Sequence, residues 1–211
     1  MWSELPEVMN SGILDNISQE AKKLHEAMFE VITSEASYLK SLNILMKHFA
    51  QSPKLSGNSN NDLNNCSVIS KWDHKRLFGD VINVRQCSER FLEDLEKKWQ
   101  ASVLLDGLCE VVRDHAKHHF QVYVKYCSNQ VDQGKLLKEL GENPRFVEAL
   151  NELESNPVCQ ALKMQSFLML PMQRITRLPL LIGAIFSRLD ENSAEYEPCH
   201  EAMDIIDKVD T

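Results

Sequence analysis

Apolar residues along the chain recur at intervals of three and four, the spacing of a helix with one buried face. No segment shows the strict alternation that a half-buried strand requires over several residues. A long helix is predicted from about Gln19 to Phe49, with Ser18 as N-cap and Glu20 in its first turn. Lys75 to Trp99 predicts a second, whose apolar face is Leu77, Phe78, Val81, Ile82, Phe91, Leu92 and Leu95. Further helices are predicted from Ser102 to about His119, from Phe120 to Leu140 and from Pro144 to Leu153. The most apolar stretch, FLMLPMQRITRLPLLIGAIF at 167–186, continues helically to Leu189, and a last helix covers about Pro198 to Val209. Residues 51–67, QSPKLSGNSNNDLNNCS, have the Asn, Ser, Gly and Pro content of an exposed loop. The predicted fold class is all-α.

Two faces break the pattern. Positions 24, 28, 31, 35, 38, 42, 45 and 49 form one stripe, filled by Leu24, Met28, Val31, Tyr38, Leu42, Leu45 and Phe49, with Glu35 in the middle. Stripping a buried ion of its partner typically costs ~3–5 kcal/mol. Glu35 therefore has an internal partner, for which Arg174 is a candidate, or it lies where the stripe leaves the core and meets another molecule. In the apolar stretch, Ile175, Leu178, Ile182, Ile185, Phe186 and Leu189 share a face. Gln173, Arg174, Arg177 and Arg188 gather on another side, around Leu181 and Ala184. Ser155 through Leu189 contains no Asp or Glu, so Lys163 and three arginines are uncompensated within the segment. Such a strip calls for an acidic partner or for an internal mate such as Glu35. Pro179 removes one helical hydrogen bond and predicts a kink or a join.

Composition narrows the function classes. A chain of 211 residues suits one domain, and 43% hydrophobic with 26% charged residues is ordinary globular composition. A formal charge of -8 weighs against nucleic-acid binding. The six cysteines (66, 87, 109, 127, 159 and 199) form no C-x-x-C pair and read as reduced, buried thiols of a cytosolic protein. No uncharged apolar run reaches the ~18–20 residues of a membrane span, and MWSELPEVMN lacks the features of a signal peptide. His115 and His119 have metal-capable spacing, but no Glu follows His115 and no third ligand is evident, so a solvated helix face is the plainer reading. Nothing places a base near Cys127, Ser128 and Asn129, and Met164, Met169 and Met172 read as core. Without a Gly-rich phosphate loop or a nucleophile–base motif, a hydrolase or transferase is disfavoured, and no metal or cofactor is expected.

The segment LPMQRITRLPLLI (170–182) resembles the third conserved region of the Dbl-homology domain, the catalytic module of Rho-family guanine nucleotide exchange factors. FEVITSEASYLKSLNIL (29–45) is similar to the first region, with its Ser-Glu-x-x-Tyr core, and HKRLFGDV (74–81) and FQVYVKYCSNQ (120–130) are similar to the signatures between them. The resemblance runs from about Lys22 to Val209; MWSELPEVMNSGIL and YCSNQ look most like the ephexin subfamily.

This resemblance implies an elongated helical bundle over residues 18–211 and a separate extension over residues 1–17. In ephexin-like proteins such an extension can fold onto the catalytic face and inhibit it; the alternative is an arm packed against the bundle. It further implies a cytoplasmic protein that binds a Rho-family small GTPase, remodels its two switch regions and magnesium site, and releases GDP without covalent chemistry. By position, Glu35 would contact switch I from an exposed catalytic face, and Arg177, where the family often has Lys, would contact switch II. Gln173, Leu181 and Arg188 would complete the GTPase-binding set, with Arg174 and Tyr38 as structural support. A further family contact, an Asn near the end of the last helix, would fall just beyond Thr211, as would a pleckstrin-homology domain. Membrane recruitment would come through such additional domains. The rival expectation is a helical module that holds a GTPase without releasing its nucleotide.

Overall fold

The computed structural model describes residues 1–58 and 67–210; residues 59–66 of the predicted 51–67 loop, Cys66 among them, lie outside these. The described chain is helical, with no strand. A short arm opens it: a 3-10 turn at Trp2–Glu4, α1 at Pro6–Asn10 and a second 3-10 turn at Ile13–Asp15. Then come α2 (Gln19–Ile44), a π-helical segment (Leu45–Ala50), α3 (Lys71–Phe78), α4 (Val81–Ala101) and α5 (Leu108–His118). They are followed by α6 (Gln121–Leu140), α7 (Pro144–Glu154), a 3-10 turn at Pro157–Cys159, α8 (Met164–Phe186) and α9 (Tyr196–Asp210).

Local chemistry sets most of these limits. The Ser18 hydroxyl accepts from the Ala21 amide at 3.1 Å and caps α2. Asn143 caps α7 with Pro144 at the first helical position, where a missing N–H costs nothing. The segment predicted as one helix from Lys75 to Trp99 is divided, because Gly79 ends α3 and the Asp80 carboxylate is drawn to Lys125, at 2.8 Å, and Asn129, at 2.6 Å. The helix predicted to begin at Ser102 begins at Leu108. Leu105 (φ 61°) and Gly107 (φ 77°) are left-handed, which a right-handed helix cannot contain. α8 continues through both Pro171 and Pro179 but stops at Phe186, three residues short of the predicted end.

The described residues form two compact units. The first comprises Met1–Ser37, Cys87–Gln121 and the chain from Arg174 onward; the second comprises Tyr38–Gln86 and Val122–Gln173. In the first, the core is built from Met28, Val31, Phe91, Leu95, Val112, Phe120, Leu178, Ile182 and Ile206, all at most 2% exposed. Phe91 and Phe120 meet edge to face at 5.3 Å. In the second, Leu42, Leu45, Phe49, Leu77, Phe78, Tyr123 and Phe167 fill the centre. There the Tyr126 hydroxyl donates to the Leu168 carbonyl and the Gln133 amide to that of Leu77, each at 2.8 Å.

Candidate functional site

The stripe along α2 is buried as its periodicity predicts, and Glu35 is buried with it, at 1% exposure. Its carboxylate is fully engaged inside the first unit. Arg174 of α8 reaches it through Nε at 2.8 Å and Nη2 at 2.6 Å, and the Ser88 hydroxyl of α4 donates to its other oxygen. Arg174, 4% exposed, also donates to the Ser34 hydroxyl at 3.0 Å and the Val31 carbonyl at 3.5 Å. Burial, reinforced by the nearby Glu35 charge, pushes the Cys87 thiol up to about 12, so it stays protonated and donates to the His119 carbonyl at 3.6 Å. The expectation that Glu35 stands on an exposed face is therefore corrected. Both oxygens are spent on internal partners, and the internal mate for Glu35 is Arg174.

Glu30, an exposed acid on α2 that sequence reasoning passed over, is the one that faces α8. At 100° per residue it lies about 140° around the helix from Glu35, off the buried stripe. Its carboxylate pairs with Arg177 of α8 at 3.1 Å, and the two side chains are 53% and 56% exposed. This is the one pair joining an expected site residue to an acid on the surface of the first unit among the described residues.

Arg177 belongs to a stripe. Arg177, Leu180 and Ala184 fall within an arc of about 60° on α8, and Arg188 follows just past its end. Leu180 is 74% exposed in the middle of the most apolar helix, whereas the expected contact residue Leu181 is only 7% exposed and belongs to the core. The expectation that Leu181 stands on the surface is thus corrected: its neighbour Leu180 does. Arg188 is exposed and spends Nη1 on the Ala184 carbonyl, at 2.5 Å, and the Ser187 hydroxyl, at 3.3 Å, where a cation also suits the helix C-terminus. Gln173 is exposed and Tyr38 is buried.

The N-terminal arm is anchored in the first unit. Trp2 is fully buried; its indole N–H donates to the Val103 carbonyl at 2.7 Å and its ring lies 4.8 Å from that of His25. The Glu26 carboxylate accepts from the Trp2 amide (2.6 Å), the Ser3 amide (3.0 Å) and the Ser3 hydroxyl (2.6 Å). Burial would raise the Glu26 carboxyl, but the hydrogen bonds from Ser3 and Trp2 outweigh it and hold it below its usual range. Burial pushes the His25 imidazole the other way relative to its charge, lowering its pKa. Met1 and Ser3 line one side of a groove of about 630 Å³ whose other walls include Lys23, Glu30, Ala184 and Arg188.

Among the described residues no group of His, Cys, Asp and Glu is arranged to hold a metal. His115 is buried, with Nε2 hydrogen-bonded to Asp94 at 2.9 Å and Nδ1 without a hydrogen-bond partner, so it is a core residue instead of half of a solvated pair. No helix among the described residues is long and apolar enough to cross a membrane.

Residues 27–211 match the model of the RhoGEF domain family. The chain is 42% identical over 209 residues to human Rho guanine nucleotide exchange factor 16, covering 99% of this chain and 28% of that protein. It is 41% identical over 194 residues to rat Ephexin-1, covering 92% of this chain and 26% of that protein. The chain thus spans roughly a quarter of the length of these relatives. Among solved structures, the DH/PH domains of PDZ-RhoGEF in complex with GTP-gamma-S activated RhoA share the fold at a TM-score of 0.85 and 21% identity, over 100% of this chain and 57% of that one. The DH/PH domains of p115-RhoGEF superpose with a TM-score of 0.81 at 23% identity, over 99% of this chain and 55% of that one.

Proposed function

The chain belongs to the RhoGEF domain family, and from that premise we propose that it accelerates guanine nucleotide exchange on a Rho-family small GTPase. The observation that carries the reading is the exposed Glu30–Arg177 pair, which presents a hydrogen-bond acceptor and a forked donor side by side on α2 and α8. The RhoA complex of PDZ-RhoGEF supports a partner of the RhoA type.

In this reading the factor does no covalent chemistry. It binds the nucleotide-free GTPase more tightly than the GDP-bound one, and that difference in affinity is what it can apply to dissociation. Glu30 accepts hydrogen bonds from switch I and holds it away from the nucleotide. Arg177 donates to switch II and keeps it where magnesium and phosphate are disfavoured. Glu35 acts one step back. By pairing with Arg174 it ties α2 to α8, the two helices that carry Glu30 and Arg177. Incoming nucleotide then displaces the factor.

Release of a fluorescent GDP analogue from RhoA and from a Rac-type GTPase, with and without the chain, tests this. A hydrogen bond to a charged group is worth ~1.5–3 kcal/mol, so Glu30→Ala or Arg177→Ala should slow stimulated release about 10- to 100-fold. Wild-type rates in both variants would place the site elsewhere. A second reading, a module that holds a GTPase without releasing nucleotide, is favoured by the arm, because Met1 and Ser3 line the groove that contains Glu30 and Arg188. If Trp2→Ala combined with Ser3→Ala raises the release rate, the arm restrains the site; an unchanged rate makes it a structural extension.

A further inference from the structure

We propose that the groove between α3 and α6 in the second unit is a docking site for an acidic peptide segment, carrying one apolar anchor residue, of a partner protein other than the GTPase. The groove encloses about 450 Å³ and lies remote in sequence from Glu30 and Arg177; α3 supplies Trp72, Lys75 and Arg76, and α6 supplies Lys125 and Asn129.

Trp72 is 65% exposed and is the one aromatic side chain among the large hydrophobics so exposed in the described residues. It is not loosely placed. The Arg76 guanidinium carbon lies 4.4 Å from its ring centroid, which holds the indole as a ledge beside the groove while leaving the charge in water. A Trp that is mostly solvated yet already ordered loses little conformational freedom on burial, the condition under which aromatic residues become dominant binding contacts.

The charge balance selects the occupant. The acids around the groove have partners: Asp80 holds Lys125 at 2.8 Å and Asn129 at 2.6 Å, Asp132 faces Lys135 at 3.4 Å, and Asp73 accepts from the Ser70 hydroxyl at 2.6 Å. Lys71, Lys75 and Arg76 have no carboxylate partner among the described residues. Three such cations on one eight-residue helix, whose own acid is the single Asp73, give it a local positive charge in a chain of formal charge -8. Complementary carboxylates would be drawn to Lys75 and Arg76 in the groove and to Lys71 on the same helix, an apolar side chain of the same segment would cover Trp72, and the exposed Asn83 amide at the groove edge can bond a peptide backbone. The concave shape favours an extended chain over a flat bilayer, to which three cations would contribute only about 1 kcal/mol each.

The test selects binders without assuming a sequence. A random 12-residue peptide library displayed on phage is panned on the wild-type chain, with depletion on a Lys75→Glu/Arg76→Glu variant, and the enriched peptide is synthesised with a fluorescent label. Enriched sequences should combine Asp or Glu with a large apolar residue. Anisotropy should show affinity at least 10-fold weaker for Trp72→Ala and for Lys71→Glu/Lys75→Glu, falling as NaCl rises from 50 to 300 mM. GDP release by these variants should match wild type, so failure of the docking site is distinguishable from failure of the exchange site. The proposal is overturned if no family of peptides is enriched, if the enriched family lacks acids, or if the substitutions leave binding unchanged. It is also overturned if Trp72 governs cosedimentation with phosphatidylcholine–phosphatidylserine vesicles and no peptide binds. Helical circular dichroism identical to wild type establishes that the variants are folded.

Discussion

Replacing Glu35 tests whether it supports the site or belongs to it. Glu35→Ala leaves the Arg174 guanidinium, 4% exposed, without its carboxylate, and leaves the Ser88 hydroxyl without its acceptor. Removing one member of a buried pair costs ~3–5 kcal/mol. Small proteins commonly have ~5–15 kcal/mol in total, so the loss is a large part of the stability. With a urea dependence of ~2 kcal/mol per M, the midpoint should fall by roughly 1.5–2.5 M. The opposite change is the informative one. Glu35→Leu combined with Arg174→Met removes both charges at similar volume, and such replacements are often neutral or stabilising by ~1–4 kcal/mol. The double variant should therefore recover the midpoint of the wild type. It should also keep stimulated GDP release within several-fold, because Glu30 and Arg177 are untouched. Urea unfolding followed by circular dichroism, with release assays on the same samples, decides the matter. If the double variant is as stable as wild type but as inactive as Glu30→Ala, then Glu35 or Arg174 meets the GTPase directly, and the division into an inner and an outer pair is wrong. If Glu35→Ala costs less than about 1 kcal/mol, the inner pair does not carry the structural role assigned to it.

Other outcomes follow from the same geometry. Breaking the outer pair by Glu30→Ala should change stability by less than about 1 kcal/mol, because both side chains are more than half exposed, and a urea midpoint shift as large as that of Glu35→Ala would contradict this. Leu180→Glu should lower stimulated release at least 10-fold with an unchanged melting temperature, whereas Leu181→Ala, at a core position, should lower the melting temperature; thermal melts beside release rates separate the two. The arm should loosen in acid. The folded-state pKa of His25 lies below its ordinary value of 6.5, so its contribution is complete above that pH and is lost as pH falls towards the depressed value. Glu26 is depressed below its ordinary 4.5, so its contribution is lost only in more acid solution. Hydrogen exchange of residues 2–15 should thus accelerate first below about pH 6.5, and His25→Gln should abolish that first step while sparing the second.

What could be read from the sequence divides along physical lines. Burial is set by periodicity, so the α2 stripe and the apolar face of α8 were legible at the level of single residues: Val31, Leu42, Ile182 and Ile185 are fully buried. An ion pair between α2 and α8 depends on tertiary register, which periodicity does not contain, and the 140° between Glu30 and Glu35 could show only that one of them faced away from the stripe. That angle was the available signal, since a polar-face Glu needs no internal partner and a stripe Glu does. Leu180 and Leu181 are adjacent and chemically identical; one is 74% and the other 7% exposed. Choosing between them required the helix phase to within 100°, at a position next to Pro179. The breaks at Gly79 and at Leu105–Gly107 depend on capping and left-handed backbone, for which an isolated Gly is a weak signal and Leu105 none.

The outer pair also bears on how fast a partner is found. In the free domain Glu30 and Arg177 cancel each other at 3.1 Å, so beyond a Debye length of ~8 Å the pair presents a short dipole with almost no field. Diffusional encounter is then not steered by the two residues proposed to hold the GTPase. Their strength is released only when a partner's own groups come close enough to exchange partners with them. The pair should therefore influence the lifetime of the complex much more than its rate of formation, and raising the ionic strength should expose the difference.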